Sequence, residues 1–279
     1  MSQQLYHQVC RKASKMVTQS YSTSFSMGIR LLNKDLREPI YSIYGFVRFA
    51  DEIVDTFHDH PKRELLERFK KDTYTAIKEG ISLNPILHSF QEVVNKYNIE
   101  QEVIETFLRS MELDLDRNEY DQAGYEDYIL GSAEVVGLMC LSVFCGGDTA
   151  QYESLKPAAM KLGSAFQKVN FLRDLKADYQ HLGRTYFPGV DLNYFDAETK
   201  RSIEKDIQDD FDQAFEGIKR LPSTSKYGVY LAYVYYTSLF NKIKRTPPQV
   251  ILNERVRIPN KQKYALLVGS YVRYRMNMV

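Results

Sequence analysis

Apolar residues recur at three- and four-residue spacing along almost the whole chain, and this period restricts the fold more than any other feature. It predicts helices over 36–57, 64–78, 86–97, 102–115, 125–144, 152–179, 198–219, 227–244 and 261–274, with a polar helix beginning at the N-terminus. Pro61, Asn84-Pro85, Gly146-Gly147, Leu221-Pro222 and Thr246-Pro247-Pro248 supply the breaks. No segment alternates as a half-buried strand does, no period repeats, and no break has the length of a flexible linker. The expectation is an all-α, single-domain protein over residues 1–279, with roughly 8–11 helices.

Composition narrows the function. The 37 Lys and Arg nearly cancel 36 Asp and Glu, leaving +1, whereas a dedicated nucleic-acid binder carries a basic excess. No nucleic-acid partner is expected. Aromatics reach 13% without low-complexity tracts, which excludes general disorder; the set is 21 Tyr and 15 Phe with no Trp. Three cysteines cannot close a disulfide framework, and Cys140 and Cys145 lie in an apolar stretch. They are expected to be buried free thiols in a reduced, cytoplasmic protein. The N-terminus lacks an apolar signal core, and no uninterrupted apolar run approaches the roughly 20 residues of a membrane span. With so balanced a charge, any membrane contact is expected to be apolar and shallow rather than driven by a basic patch.

Two segments carry the chemistry. In the first, Tyr44, Arg48, Asp51 and Asp55 are spaced 4, 3 and 4; in the second, Gln167, Asn170, Asp174 and Asp178 are spaced 3, 4 and 4. Each set shares one face of a helix. Spacing alone is weak: 18 aspartates give about one i,i+4 pair by chance, and the chain has four, Asp51/Asp55, Asp55/Asp59, Asp174/Asp178 and Asp206/Asp210. Asp206 and Asp210 lie in a charged stretch and read as a solvated face. Asp51 and Asp174 instead follow apolar or small residues. Like-charged carboxylates near a core are costly unless a proton or cation joins them. Oxygen donors without thiolates suit Mg²⁺ or Mn²⁺, which phosphate oxygens commonly complete. With Arg48 and Arg173 alongside, the two clusters read as a diphosphate clamp; a buried salt-bridge network between helices is the alternative.

At these residues the sequence resembles the squalene/phytoene synthase family of head-to-head prenyl transferases. Ser22-Thr23-Ser24-Phe25, Tyr44 to Asp55, Tyr128 to Gly137, Gln167 to Asp178, Arg184-Thr185-Tyr186-Phe187-Pro188 and Arg255-Val256-Arg257-Ile258-Pro259 appear in family order over nearly the whole chain. The stretch from Tyr128 to Met139 looks most like bacterial phytoene synthases. The resemblance implies the isoprenoid synthase fold, a helical bundle around a central cavity. It also implies condensation of two geranylgeranyl diphosphates through prephytoene diphosphate to 15-cis-phytoene, with Mg²⁺ and without NADPH.

Carried over position by position, Asp51, Asp55, Asn170, Asp174 and Asp178 are the metal ligands, and Arg48 and Tyr44 join the four aspartates as catalytic residues. The substrate set is Ser22, Ser24, Phe25, Tyr41, Arg48, Tyr128, Gln167, Asn170, Arg173, Arg184, Tyr186, Tyr235, Arg255 and Lys261, with Lys263 a further phosphate candidate. Phe25, Tyr41, Tyr44, Tyr128, Tyr186 and Tyr235 would wall a carbocation with ring faces. Gly131, Ser132, Ala133 and Gly137 would keep one helix slim beside a prenyl chain, or serve close helix packing. The pattern departs from many relatives at Ala177, where an acid is common, and at Glu52, which replaces an Asp. The same motifs would serve squalene or dehydrosqualene synthesis from farnesyl diphosphate, with peripheral membrane contact for product release. Two other classes compete. A dimetal oxidase would use Asp55/His58 and Asp178/His181, but no Glu precedes a His by three, and His58 and His60 read as a solvated helix end. A non-catalytic binding relative would be expected to lose the aspartates that this chain keeps.

Overall fold

A computed structural model describes residues 3–116, 120–177, 186–191 and 194–276, and helices make up nearly all of the regular structure there. The order is α1 (Gln3–Tyr21), α2 (Thr23–Leu31), α3 (Lys34–Asp55), α4 (Lys62–Glu79), α5 (Pro85–Tyr97), α6 (Gln101–Asp116) and α7 (Gln122–Ile129). After a π-helical turn at Leu130–Glu134 come α8 (Val135–Cys145), α9 (Thr149–Ala177), α10 (Ala197–Arg220), α11 (Ser223–Arg245), α12 (Pro248–Ile251) and α13 (Asn260–Arg275).

Local chemistry sets the boundaries. The Ser22, Asn84, Asp121 and Asp196 side chains accept amide protons at the starts of α2, α5, α7 and α10. Gly80 and Gly146 close α4 and α8 in the left-handed conformation, and Asn98 does the same for α5. Periodicity missed α2, where Ser22-Thr23-Ser24 masks the pattern, and the four-residue α12, which starts inside the expected Thr246-Pro247-Pro248 break.

α9 lies centrally, packed against α10, α8, the π turn and α11. Two apolar clusters flank it. One joins α3, α5, α6 and α8 around Phe46, whose ring stacks on Phe90 at 3.8 Å; the other joins α7, α9, α10 and α11 around Phe171, Phe211 and Phe240. Gln122–Cys145 forms a 24-residue helical run apolar enough by composition to cross a membrane. It is instead enclosed by α3, α6 and α9. A Cβ on Gly131 would lie 2.5 Å from the Ser110 Cβ of α6, and one on Gly163 of α9 would lie 2.6 Å from the Ala133 carbonyl oxygen. Those approaches make it a core helix.

All three cysteines are free; Cys10 and Cys145 are buried, and Cys140 is half-buried. His58 and His60 are exposed, as expected of a solvated helix end. Asp210 overturns its sequence reading. It is buried, accepting from Lys161 Nζ at 2.8 Å, Lys168 Nζ at 2.7 Å and Ser164 Oγ at 2.7 Å across the α9–α10 contact. Burial alone would raise its carboxyl, but these donors hold it below its ordinary range. Only Asp206, more than half exposed, fits the solvated face, although it also pairs with Lys168.

At the far side α1 is tied to α5. Glu92 accepts from Arg11 at 3.0 and 3.2 Å and lies 2.9 Å from His7 Nδ1. Buried His88 accepts the Ser82 amide proton on Nδ1, so its Nε2 proton points at His7, 2.8 Å away.

Candidate active site

The first acidic stripe occupies the last turns of α3. Arg48 donates from Nη1 to Asp51 at 2.7 Å and from Nη2 to Glu52, and its guanidinium carbon lies 4.4 Å from the Tyr21 ring centroid. Buried Arg48 Nε has no hydrogen-bond partner among the described residues. Burial and then the neighbouring Asp55 charge push the Asp51 carboxyl from the ordinary 3.8 up to about 7, with Arg48 opposing and Asp114 and Glu52 adding to the rise. Its side chain remains 38% exposed, so water at the open edge tempers that push. Asp55 is half-buried at the end of α3.

The second stripe lies on α9. Gln167 donates to Ser132 Oγ at 3.2 Å, and Asn170 Oδ1 accepts from the Tyr236 hydroxyl at 3.3 Å. Asp174 is held between two arginines, Arg173 Nη2 at 2.5 Å and Arg255 Nε at 2.6 Å. Arg255 follows α12, so 81 residues of separation close onto one carboxylate. The sequence candidates Asp178 and Arg184 lie outside the described residues.

Aromatic residues join the stripes. Tyr44 of α3 lies beside Phe25 of α2, ring centroids 5.1 Å apart, and Tyr236 of α11 stacks on Phe166 at 3.9 Å. Burial pushes the Tyr44 hydroxyl up to about 12; Arg48 opposes this, Asp51 and Tyr236 add to it, and a Ser22 hydrogen bond offsets part. Tyr44 therefore senses the first stripe and Tyr236, which in turn donates to Asn170 of the second. Lys263 of α13 donates to Thr23 Oγ1 at 3.4 Å, and its ammonium lies 5.6 Å from the Tyr235 ring centroid. Lys261, two positions earlier and about 200° away around the helix, is exposed. Lys263, rather than the Lys261 singled out from the sequence, thus turns toward the stripes.

Below this polar mouth is an apolar cavity of about 250 Å³. Phe25, Val47, Phe166 and Gln167 line it near the stripes, while Cys140, Phe144, Leu155, Ala158, Gly217 and Leu221 extend it between α8, α9 and α10. Ser132, Ala133 and Gly137 also line it, in keeping with a slim helix, whereas Gly131 serves the contact with α6. Burial pushes the Cys140 thiol up to about 12, which keeps it protonated.

Other sequence candidates are placed differently. Tyr41 is buried but does not line the cavity; the Lys15 ammonium of α1 lies 5.9 Å from its ring centroid. Residues 40 and 41 point about 100° apart on one helix, and it is Ile40 that reaches the cavity. Ser22 acts as a helix cap, its Oγ accepting the Phe25 amide proton at 3.2 Å, and Ser24 is half-buried in the next turn. Tyr128 and Tyr186 do not line the cavity either. Together with Tyr120 and Phe171 they form a stacked box, Phe171 and Tyr186 at 4.0 Å.

That box closes on Asp114, which sequence reasoning missed. Asp114 is buried in α6, accepts from the Tyr128 hydroxyl at 2.8 Å and the Tyr120 hydroxyl at 3.1 Å, and its charge helps raise Asp51. The apolar flanks that distinguish Asp51 and Asp174 also surround it, as Leu113 and Leu115; position 118 is Asn, so a search for aspartate pairs passes over it. Tyr236 and Phe166 were missed because neither stands beside an acidic pair.

The squalene/phytoene synthase family model matches residues 18–262. The chain belongs to this family. Its relatives are prenyltransferase-type synthases. It is similar to the phytoene synthase of Arthrospira platensis, 26% identical, with 97% of this chain and 94% of that protein covered. It is also similar to the 4,4'-diapophytoene synthase of Staphylococcus haemolyticus, 26% identical over 75% of this chain and 72% of that protein. A dehydrosqualene synthase solved with a ligand superposes with a TM-score of 0.84 at 21% identity, covering 97% of this chain and 98% of that one. The isoprenoid synthase fold expected from the resemblance is therefore the fold of this chain.

Proposed function

We propose that this family member condenses two molecules of geranylgeranyl diphosphate head to head, through prephytoene diphosphate, to phytoene. The observation that carries the reading is that Asp51 and Asp174, each held by arginine, stand on the two helices whose Val47 and Gln167 line one apolar cavity. A diphosphate head and a prenyl tail need those two environments side by side.

Asp51, Asp55, Asn170 and Asp174 offer only hard oxygen donors, and the upward push on Asp51 is the strain a divalent cation relieves. They fit Mg²⁺, or Mn²⁺, which when bound would neutralise charge on the departing diphosphate; Asp178 completes the sequence-derived set. Arg48, Arg173, Arg255 and Lys263 would hold phosphate oxygens as the C–O bond breaks and its electron pair leaves with diphosphate. Tyr44, Phe25, Phe166 and Tyr236 would face the allylic cation with ring π-density. The apolar cavity excludes water that would capture the cation. After attack by the second alkene, a proton is lost as the cyclopropane ring of prephytoene diphosphate closes. That intermediate then releases its own diphosphate and the rearranged cation loses a second proton, so phytoene formation needs no hydride donor.

The reading is tested with labelled substrate and Mg²⁺, with and without NADPH. A C40 product from geranylgeranyl diphosphate, unchanged by NADPH, is expected. Formation of C30 hydrocarbon alone, from farnesyl diphosphate, would overturn the chain length and favour squalene or dehydrosqualene synthesis, a reading supported by equal identity to the diapophytoene synthase. Release of either hydrocarbon calls for peripheral contact with a bilayer.

Stability supplies a second test. Between the ordinary 3.8 and about 7, folded Asp51 keeps a proton that the unfolded chain releases. Metal-free stability therefore falls as pH rises through that window. Added Mg²⁺ should raise the thermal midpoint more at about pH 8 than at about pH 5, because the proton occupies the clamp at the lower pH. An equal rise at both would separate Asp51 from the metal site.

A further inference from the structure

The near-zero net charge conceals a sharp division. Residues 1–254 hold 31 Lys and Arg against 36 Asp and Glu, whereas residues 255–279 hold six Lys and Arg and no acid. Most of that segment is α13, which packs on α11 through half-buried Leu266, Leu267 and Tyr274 and buried Ser270. Tyr227 of α11 donates to the Leu267 carbonyl at 3.4 Å, and its ring lies 4.9 Å from that of Tyr274.

The opposite side of α13 is apolar and uncovered. Val268 is 60% exposed, Val272 49% and Met276 66%, at successive spacings of four, with Tyr271 at 49% beside them. Lys261 and Arg273, on the same helix, are exposed. Exposed valines and a methionine, edged by tyrosine and cations without any carboxylate, have the pattern of a helix lying in a membrane interface. A second copy of this chain is a poor occupant, since a two-fold contact would set one cationic segment against another.

We propose that α13 is the surface by which this protein docks on an anionic lipid bilayer, with Val268, Val272 and Met276 entering the headgroup boundary and Lys261 and Arg273 meeting lipid phosphates. This rests on, and deepens, the reading that a hydrocarbon product leaves into a membrane. The placement fits that use. Lys263, in the first turn of α13, stands at the polar mouth, and α11, on which α13 lies, contributes Gly228, Val229 and Ala232 to the cavity wall. The bulk balance suggested shallow apolar contact alone; the segment adds a cationic component.

Vesicle flotation without substrate tests the surface independently of the catalytic reading. The full chain should float with phosphatidylglycerol-containing vesicles and bind pure phosphatidylcholine vesicles about tenfold less, with high salt weakening the former. Val268→Asp with Val272→Asp should lower binding about tenfold, and Arg273→Glu should lower it less. Detergent-supported turnover and helicity of these exposed-site variants should match the parent. Undiminished binding by the double variant, or no binding by the parent, would overturn the proposal. So would a parent dimer that the double variant splits while vesicle binding stays unchanged, because the stripe would then be a contact between copies.

Discussion

Asp51→Asn and Asp174→Asn are each expected to lower turnover by about three orders of magnitude while leaving the helical fold intact. Both changes preserve shape and remove one negative charge from a cluster proposed to gather a divalent cation and a diphosphate. Their stability signatures should differ. Asp51 stands among Asp55, Asp114 and Glu52, so its neutralisation relieves repulsion; the metal-free variant should melt at or above the parent temperature above pH 7. Asp174 is already held by Arg173 and Arg255, and neutralising it loosens the segment after α12, costing about 1 kcal/mol. Product formation by radiolabel and melting by circular dichroism check the pair. Parent-like rates in both variants would falsify the diphosphate-clamp reading.

The largest stability loss among the proposed substitutions is expected away from the cavity. Asp210→Ala removes the carboxylate that receives Lys161, Lys168 and Ser164 at the α9–α10 contact. Lys168 is nearly buried and, among the described residues, keeps the ion pair with more exposed Asp206 and the longer-range charge of Glu134, so part of a buried positive charge is left uncompensated. Such a loss costs about 3 kcal/mol or more, equivalent to a fall on the order of 10 °C in the thermal midpoint. Asp210→Asn retains an acceptor for Ser164 and should recover part of it. Because the folded carboxyl lies below its ordinary range, this contribution is present near neutral pH and is lost as pH falls through the lowered value. A change of only one or two degrees in Asp210→Ala would show that Asp206 and Glu134 suffice to compensate the lysines.

The two aspartates named in these predictions show how far a pattern reaches. Asp51 was legible because an i+4 acid and apolar neighbours occur together, both local properties of one helix. Asp210 presents the same i+4 spacing in a more charged stretch, yet its partners Lys161 and Lys168 stand more than 40 positions earlier, and only packing of α10 on α9 brings them near. Asp114 escaped for the complementary reason: its partners are tyrosine hydroxyls on a different segment, and a lone acid carries no spacing signal. Tyr41 and Lys261 are turned away by rotation. Each lies on an element that contributes to the site, but neighbouring positions on a helix diverge by about 100° and only one direction meets the cavity or the mouth.

By itself, the sequence determined the helical class, most helix positions, the two acidic stripes and family membership. Helical period, capping residues and short motifs are written in neighbouring residues and survive without a partner. The tertiary structure decided that Arg255 closes on Asp174, that Tyr44 and Tyr236 bring the stripes to one mouth, and that small residues from several helices leave a cavity beneath it. It also decided which side of α13 remains uncovered. These depend on the rotation and approach of whole helices, which hundreds of weak contacts set jointly and no local spacing encodes.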